Sequence, residues 1–162
     1  MNNSKSVLVV DDNDQIRKGI AGLLHKQGYT VYSVADGNEA LHEIRQKGRV
    51  DLMILDVLMP KLDGYQVLYQ LRLHGYQDIP VILLTGKSDF HDIARGYNRG
   101  AKLYITKPYT AQVLMKAVEY FLGELSYEKR EALELELLAA SEVNLCAQTC
   151  WDLGARFEER TF

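Results

Sequence analysis

Residues 52–64 read LMILDVLMPKLDG. Four apolar residues, Leu52 to Leu55, run directly into a carboxylate, Asp56, and a proline-containing loop separates that carboxylate from Asp63-Gly64. A short, unbroken apolar run of this kind is how a strand covered on both faces reads. Asp56 ends the run, and a lone carboxylate beside buried apolar residues is costly unless the molecule uses it.

The same arrangement recurs on either side. Further short runs lie at Val7–Val10, Thr30–Val34, Val81–Leu84 and Leu103–Ile105. Between the runs, apolar residues recur at helical spacing: Ile16, Ile20, Leu23 and Leu24; Ala40, Leu41 and Ile44; Val67, Leu68 and Leu71; Val113, Leu114, Ala117, Val118 and Phe121. Phe90 to Asn98 is a more polar helical stretch. Glycines at 28, 48, 75 and 100 fall where four of these helices should stop, and Gly123 closes the fifth. Five βα units in succession predict an α/β fold, a doubly wound (βα)5 parallel sheet with helices on both faces, followed by a C-terminal helical extension; in the flavodoxin-like strand order 2-1-3-4-5 the first and third strands would be neighbours. The expected division is 1–123 for the sheet domain and 124–162 for a helical tail that starts after Ser126, a candidate N-cap.

The residues that break the apolar pattern fall at equivalent places. Asp11 and Asp12 follow the first strand, Asp56 the third, Thr85 the fourth and Lys107 the fifth. In an open parallel sheet, ligands bind beyond the C-terminal strand ends at the switch point, and with this strand order Asp12 and Asp56 would face each other there. Three carboxylates in one pocket repel and need a cation. Oxygen donors without nearby His or Cys suit Mg²⁺.

With those positions in view, VLVVDD, LMILDVLMPKLDG, the LLTG around Thr85 and GAKLYITKPY together resemble the bacterial response-regulator receiver family, the CheY-like fold, over about residues 4–122. The resemblance implies a two-component phosphorelay in which Asp56 takes a phosphoryl group from a histidine kinase or phosphotransfer protein. It implies Asp12 as a direct Mg²⁺ ligand, Asp11 as one acting largely through water, and the Leu58 backbone carbonyl as the remaining protein ligand. Thr85 and Lys107 match the pair that binds the phosphoryl oxygens, and Tyr104 the aromatic that turns inward when the threonine moves. The Lys107–Pro108 peptide matches a cis bond. Such a protein is no enzyme beyond its own phosphorylation and dephosphorylation, and it signals by contact with a downstream protein. With an apolar Leu58 unable to orient water, slow self-dephosphorylation is expected.

Each of these residues also has a plainer reading. An Asp pair after a strand is commonly helix capping, although Asn13 or Asp14 could supply that cap here. Thr85 alone is a strand-end residue, Lys107 a surface lysine and Tyr104 a core aromatic. Asp63 begins the third helix, and histidines 25, 42, 74 and 91 show no metal-ligand spacing.

Bulk properties narrow the partners. The 162 residues are 47% hydrophobic and 25% charged, as in a folded soluble protein, with a formal charge of −3. Residues 1–122 carry 15 Lys and Arg against 13 Asp and Glu, whereas 123–162 carry 4 against 9. An acidic tail repels phosphate backbones, so no nucleic-acid partner is expected. The N-terminal apolar run of four residues is too short for a membrane span, and two cysteines in the tail, Cys146 and Cys150, form no disulfide framework; a cytoplasmic location follows. In the tail, Ala132, Leu135, Ala139, Val143, Cys146, Cys150, Leu153 and Phe157 repeat at spacings of three and four, a coiled-coil-like seam widened by Leu133, Leu137, Leu138 and Leu145. The helix can fold back on the sheet domain, pair in a homodimer, or serve as a linker helix to an output module. An assembly protein working through this tail, with phosphorylation secondary, is the alternative function.

Overall fold

The computed structural model describes residues 4–86 and 100–140. The strands are β1 (Ser6–Val10), β2 (Thr30–Val34), β3 (Leu52–Asp56), β4 (Val81–Thr85) and β5 (Leu103–Thr106). The helices are α1 (Asp14–Lys26), α2 (Gly37–Lys47), α3 (Gly64–Leu73), α4 (Ala111–Leu122) and α5 (Tyr127–Ala140). All strand pairs are parallel and the order is β2-β1-β3-β4-β5, the flavodoxin-like order expected. The stretch Phe90–Asn98, the cysteines and the seam positions beyond Ala139 lie outside the described residues.

Alternation along the strands divides the core between the two faces of the sheet. Leu8, Val10, Met53, Leu55, Val81, Leu83 and Tyr104 point towards α2 and α3. Val7, Val9, Leu52, Ile54, Ile82, Leu84 and Ile105 point towards α1 and α4. Every residue of β3 and β4 is buried, whereas β2, at the edge, is only partly covered. That is why four runs are continuous in the sequence and the β2 run contains Tyr32 and Ser33. Each fully buried Leu or Ile of this set contributes roughly 1.5–3 kcal/mol relative to exposure.

Helix caps decide which polar residues are left for chemistry. Asn13 caps α1, its side chain accepting from the amides of Gln15 at 3.0 Å and Ile16 at 3.2 Å. Asp63 caps α3 in a reciprocal box with Gln66. Asp11, Asp12 and Asp56 are therefore not needed as caps. Helix α2 ends at Gly48, whose φ of 77° lies in the left-handed region that a side chain disfavours.

The tail helix folds back. Helix α5 packs along α4, with Leu133 and Leu137 buried against the α1/α4 side of the core. Lys129 pairs with Glu119 at 2.6 Å and Lys116 with Glu136, while Arg130 donates to the Tyr120 carbonyl at 2.8 Å and lies over its ring. Ser126 accepts from the Lys129 amide at 3.3 Å, the cap expected at the helix start. The seam positions Ala132, Leu135 and Ala139 face solvent instead. The larger Leu133 and Leu137, one turn apart, bury more apolar area against α4 than the two alanines could.

Candidate functional site

The register of the strands assembles the site. Val10 pairs with Leu55 across β1 and β3, so Asp11 and Asp56 each stand one residue further along at the same sheet edge. Asp56 pairs with Leu84, which sets Thr85 one residue beyond it, and Thr85 pairs with Thr106, the residue before Lys107. The Lys107 amide donates to the Thr85 carbonyl at 2.6 Å, tying the lysine's backbone to the end of β4. The Lys107–Pro108 peptide is cis, as expected.

Carboxylate oxygens of Asp11, Asp12 and Asp56 lie within 4.8 Å of one another. Asp11 and Asp56 are 1% and 4% exposed, whereas Asp12 is open to solvent. The Lys107 ammonium bridges the two buried members, donating to Asp11 Oδ2 at 2.9 Å and to Asp56 Oδ1 at 3.0 Å. Such charge-assisted bonds are the strong kind. One ammonium against three carboxylates leaves a negative excess. Three oxygen donors, without nitrogen or sulfur and with one member facing solvent, fit a hard, partly hydrated cation such as Mg²⁺.

Protonation follows the same geometry. Burial raises the pKa of Asp56; Lys107 opposes that rise, and Asp11 and Asp12 add to it by repulsion. Burial works to lower the pKa of Lys107, but its hydrogen bonds to Asp11 and Asp56 outweigh burial and hold it above the usual lysine value. The ammonium thus stays charged through the physiological range.

Thr85 is completely buried at the end of β4. Tyr104 is also buried, 2% exposed, on the α2/α3 side of the sheet, and its hydroxyl shares a hydrogen bond of 3.1 Å with that of Tyr65. Leu58, two residues past Asp56, has an exposed side chain. Three participants escaped the sequence reading. Tyr65 meets Tyr104 across the core. Tyr109 is half-buried two residues past Lys107; burial raises the pKa of its phenol, Lys107 acts to lower it, and Asp11 and Asp56 add to the rise. Arg17 reaches the Asp11 carbonyl from the first turns of α1 and pairs with Asp14.

A buried Asp and a lysine are thus joined across parallel strand ends, with a carboxylate cluster around them. Residues 7–119 match the family described as response regulator receiver domain, and the chain belongs to it, as a receiver domain of a response regulator in two-component signalling. It is similar to "Response regulator MprA" of Mycobacterium ulcerans (strain Agy99), 35% identical over 142 residues, a match covering 88% of this chain and 60% of that protein. It is also similar to "Probable transcriptional regulator ycf27" of Cyanophora paradoxa, at 42% identity over 74% of this chain and 49% of that protein. The chain thus spans between half and three-fifths of the length of these curated relatives. Among solved structures, the chemotaxis protein CheY4 of Vibrio cholerae matches with a TM-score of 0.69 and 33% identity, over 74% of this chain and 99% of that one. Among the described residues, no helix is long and apolar enough to cross a membrane.

Proposed function

We propose that this chain is a phosphorylation switch that takes a phosphoryl group on Asp56 from the phosphohistidine of a sensor kinase or phosphotransfer protein. The observation that carries the reading is the Lys107 ammonium held at 2.9 and 3.0 Å between two buried carboxylates, beside a third. An Asp56 carboxylate oxygen attacks phosphorus, the P–N bond to the donor imidazole breaks, and an acyl phosphate results. Catalysis of such a transfer is positioning and charge neutralisation. Asp12, Asp11 through water, Asp56 and the Leu58 backbone carbonyl would hold Mg²⁺, which supplies positive charge for the phosphoryl oxygens. Lys107 supplies a second positive charge, and the Thr85 hydroxyl donates to a phosphoryl oxygen. As Thr85 moves, the space behind it changes for Tyr104, and the surface around β5 presents a different face to a downstream protein. Hydrolysis of the acyl phosphate is slow, because Leu58 offers no polar atom to orient water; a phosphorylated form no longer-lived than that of Leu58→Asn would count against this.

The units we assign are a receiver over 1–123 and a tail over 124–162, acting where two-component receivers act, in the cytoplasm. Protein contact is the output we assign, since the tail is acidic; the naming of a relative as a transcriptional regulator belongs to that protein. Beryllofluoride, a phosphoryl mimic, should bind the chain with Mg²⁺ in a calorimeter and fail to bind Asp56→Ala. Equal binding by both would remove Asp56 from the acceptor role.

A second reading, an assembly module that self-associates through the tail, is favoured by the exposure of Tyr127 and Leu135 on α5. Sedimentation with and without beryllofluoride separates it, since an assembly module would associate regardless of the mimic.

A further inference from the structure

We infer that Arg17 is a positioning residue of the acidic site, holding the Asp11–Asp12 peptide so that both carboxylates face the pocket. The inference rests on the metal-assisted reading of that pocket given above. Every oxygen of Asp11 is engaged. Its Oδ1 accepts from the Asn13 amide at 2.9 Å, its Oδ2 from Lys107 at 2.9 Å, and its backbone carbonyl from Arg17 Nη1 at 2.7 Å. The other guanidinium nitrogen, Nη2, donates to Asp14 Oδ1 at 2.8 Å. Arg17 therefore spans the β1–α1 connection, from the residue that leaves the strand to the first residue of the helix.

Peptide planarity turns that contact into a constraint on the site. Fixing the Asp11 carbonyl oxygen fixes the plane it shares with the Asp12 nitrogen and Cα, and so the direction in which Asp12 leaves the loop. Asp12 needs such help. Its carboxylate is exposed and takes no hydrogen bond from the described residues, whereas Asp11 and Asp56 are both held by Lys107. A guanidinium is suited to the task because its fork grips two acceptors at once.

The plainer alternative is a pair in the first turns of α1, Arg17 with Asp14, of the kind that stabilises a helix slightly. Exposure argues against it. Lys18, which also pairs with Asp14, has a side chain 76% exposed, as an ordinary surface pair would. The Arg17 side chain is 16% exposed, drawn inward to the Asp11 carbonyl.

Mg²⁺ titration by calorimetry of the full chain tests this with Arg17→Ala, Arg17→Lys and Asp14→Ala. Groups that hold metal ligands in place are typically worth 10–100-fold in affinity, so Arg17→Ala should bind Mg²⁺ about tenfold more weakly. Asp14→Ala should lose less than Arg17→Ala, since it frees one prong of the fork and keeps the Nη1 bond to the Asp11 carbonyl. Arg17→Lys should fall below wild type, because an ammonium keeps the charge and loses the fork. Amide exchange at Asn13, whose N–H is bonded to Asp11, should speed up in Arg17→Ala without any metal. Wild-type affinity in Arg17→Ala or Arg17→Lys, or an equal loss in Asp14→Ala, would overturn the inference. Failure of wild type itself to bind Mg²⁺ would instead overturn the proposed function, and the Asn13 exchange rate would still decide the role of Arg17: unchanged exchange in Arg17→Ala overturns it.

Discussion

The Lys107 ammonium lies 3.0 Å from Asp56, a carboxylate 51 positions earlier in the chain, and 2.9 Å from Asp11 at the end of a different strand. One side chain from just past β5 thus closes a site opened at the ends of β1 and β3. Lys107→Ala leaves two buried carboxylates without their counter-charge. The expected loss at pH 7 is roughly 1–3 kcal/mol in urea unfolding without divalent cations. The loss should shrink as the pH falls and the carboxylates take up protons; a loss independent of pH would contradict it.

Asp56 by itself sets the direction of a second pH effect. Burial, together with repulsion from Asp11 and Asp12, outweighs Lys107 and raises its folded pKa above 3.8. The folded state then binds more protons than the unfolded state, so stability falls as the pH rises from 3.8 through the folded value. Above that value the cost is fully present. Asp56→Asn removes it, and in a chelator the variant should be more stable than wild type at pH 7, with the difference vanishing below pH 3.8. A variant less stable at pH 7 would show that Lys107 dominates.

Two glycines make a paired test of the loop that follows the acceptor. A Cβ on Gly64 would lie 2.6 Å from the Asp56 carbonyl and 2.9 Å from the Val57 Cα, both backbone atoms that cannot give way without moving the acceptor. Gly64→Ala should cost about 1–3 kcal/mol and weaken beryllofluoride binding as well. A Cβ on Gly19, within α1, meets nothing within 4 Å. Gly19→Ala should stabilise by about 0.5–1 kcal/mol and leave binding unchanged.

The tail offers a contrast along one helix. Leu137 is 5% exposed against the sheet domain, and Leu135, two residues earlier, is 62% exposed. Leu137→Ala should cost about 2 kcal/mol and Leu135→Ala less than about 0.5 kcal/mol in thermal or urea unfolding. The reverse order would mean that the seam through Leu135, and not the face through Leu137, carries the packing.

That contrast marks where sequence reasoning stops. Strands such as Leu52–Asp56 were legible because burial on both faces leaves no polar alternation, and the carboxylates were legible because each interrupts such a run at its end. The meeting of Asp11, Asp12 and Asp56 followed from strand order alone. The buried face of α5 did not, since Ala132, Leu135 and Ala139 repeat as regularly as Leu133 and Leu137, and only the shape of α4 chooses between them. Arg17 was hidden for a similar reason. At helical spacing it reads as a solvated charge, and its bond to a backbone carbonyl leaves no mark in side-chain pattern.

The central claim is that the carboxylate held by Lys107 accepts a phosphoryl group with help from a divalent cation. Intact-mass spectrometry after incubation with acetyl phosphate tests it directly. The account predicts a gain of one phosphoryl group with Mg²⁺, abolished by chelation and by Asp56→Asn. A gain that survives in Asp56→Asn, or wild-type protein that stays unmodified with Mg²⁺ present, would contradict it.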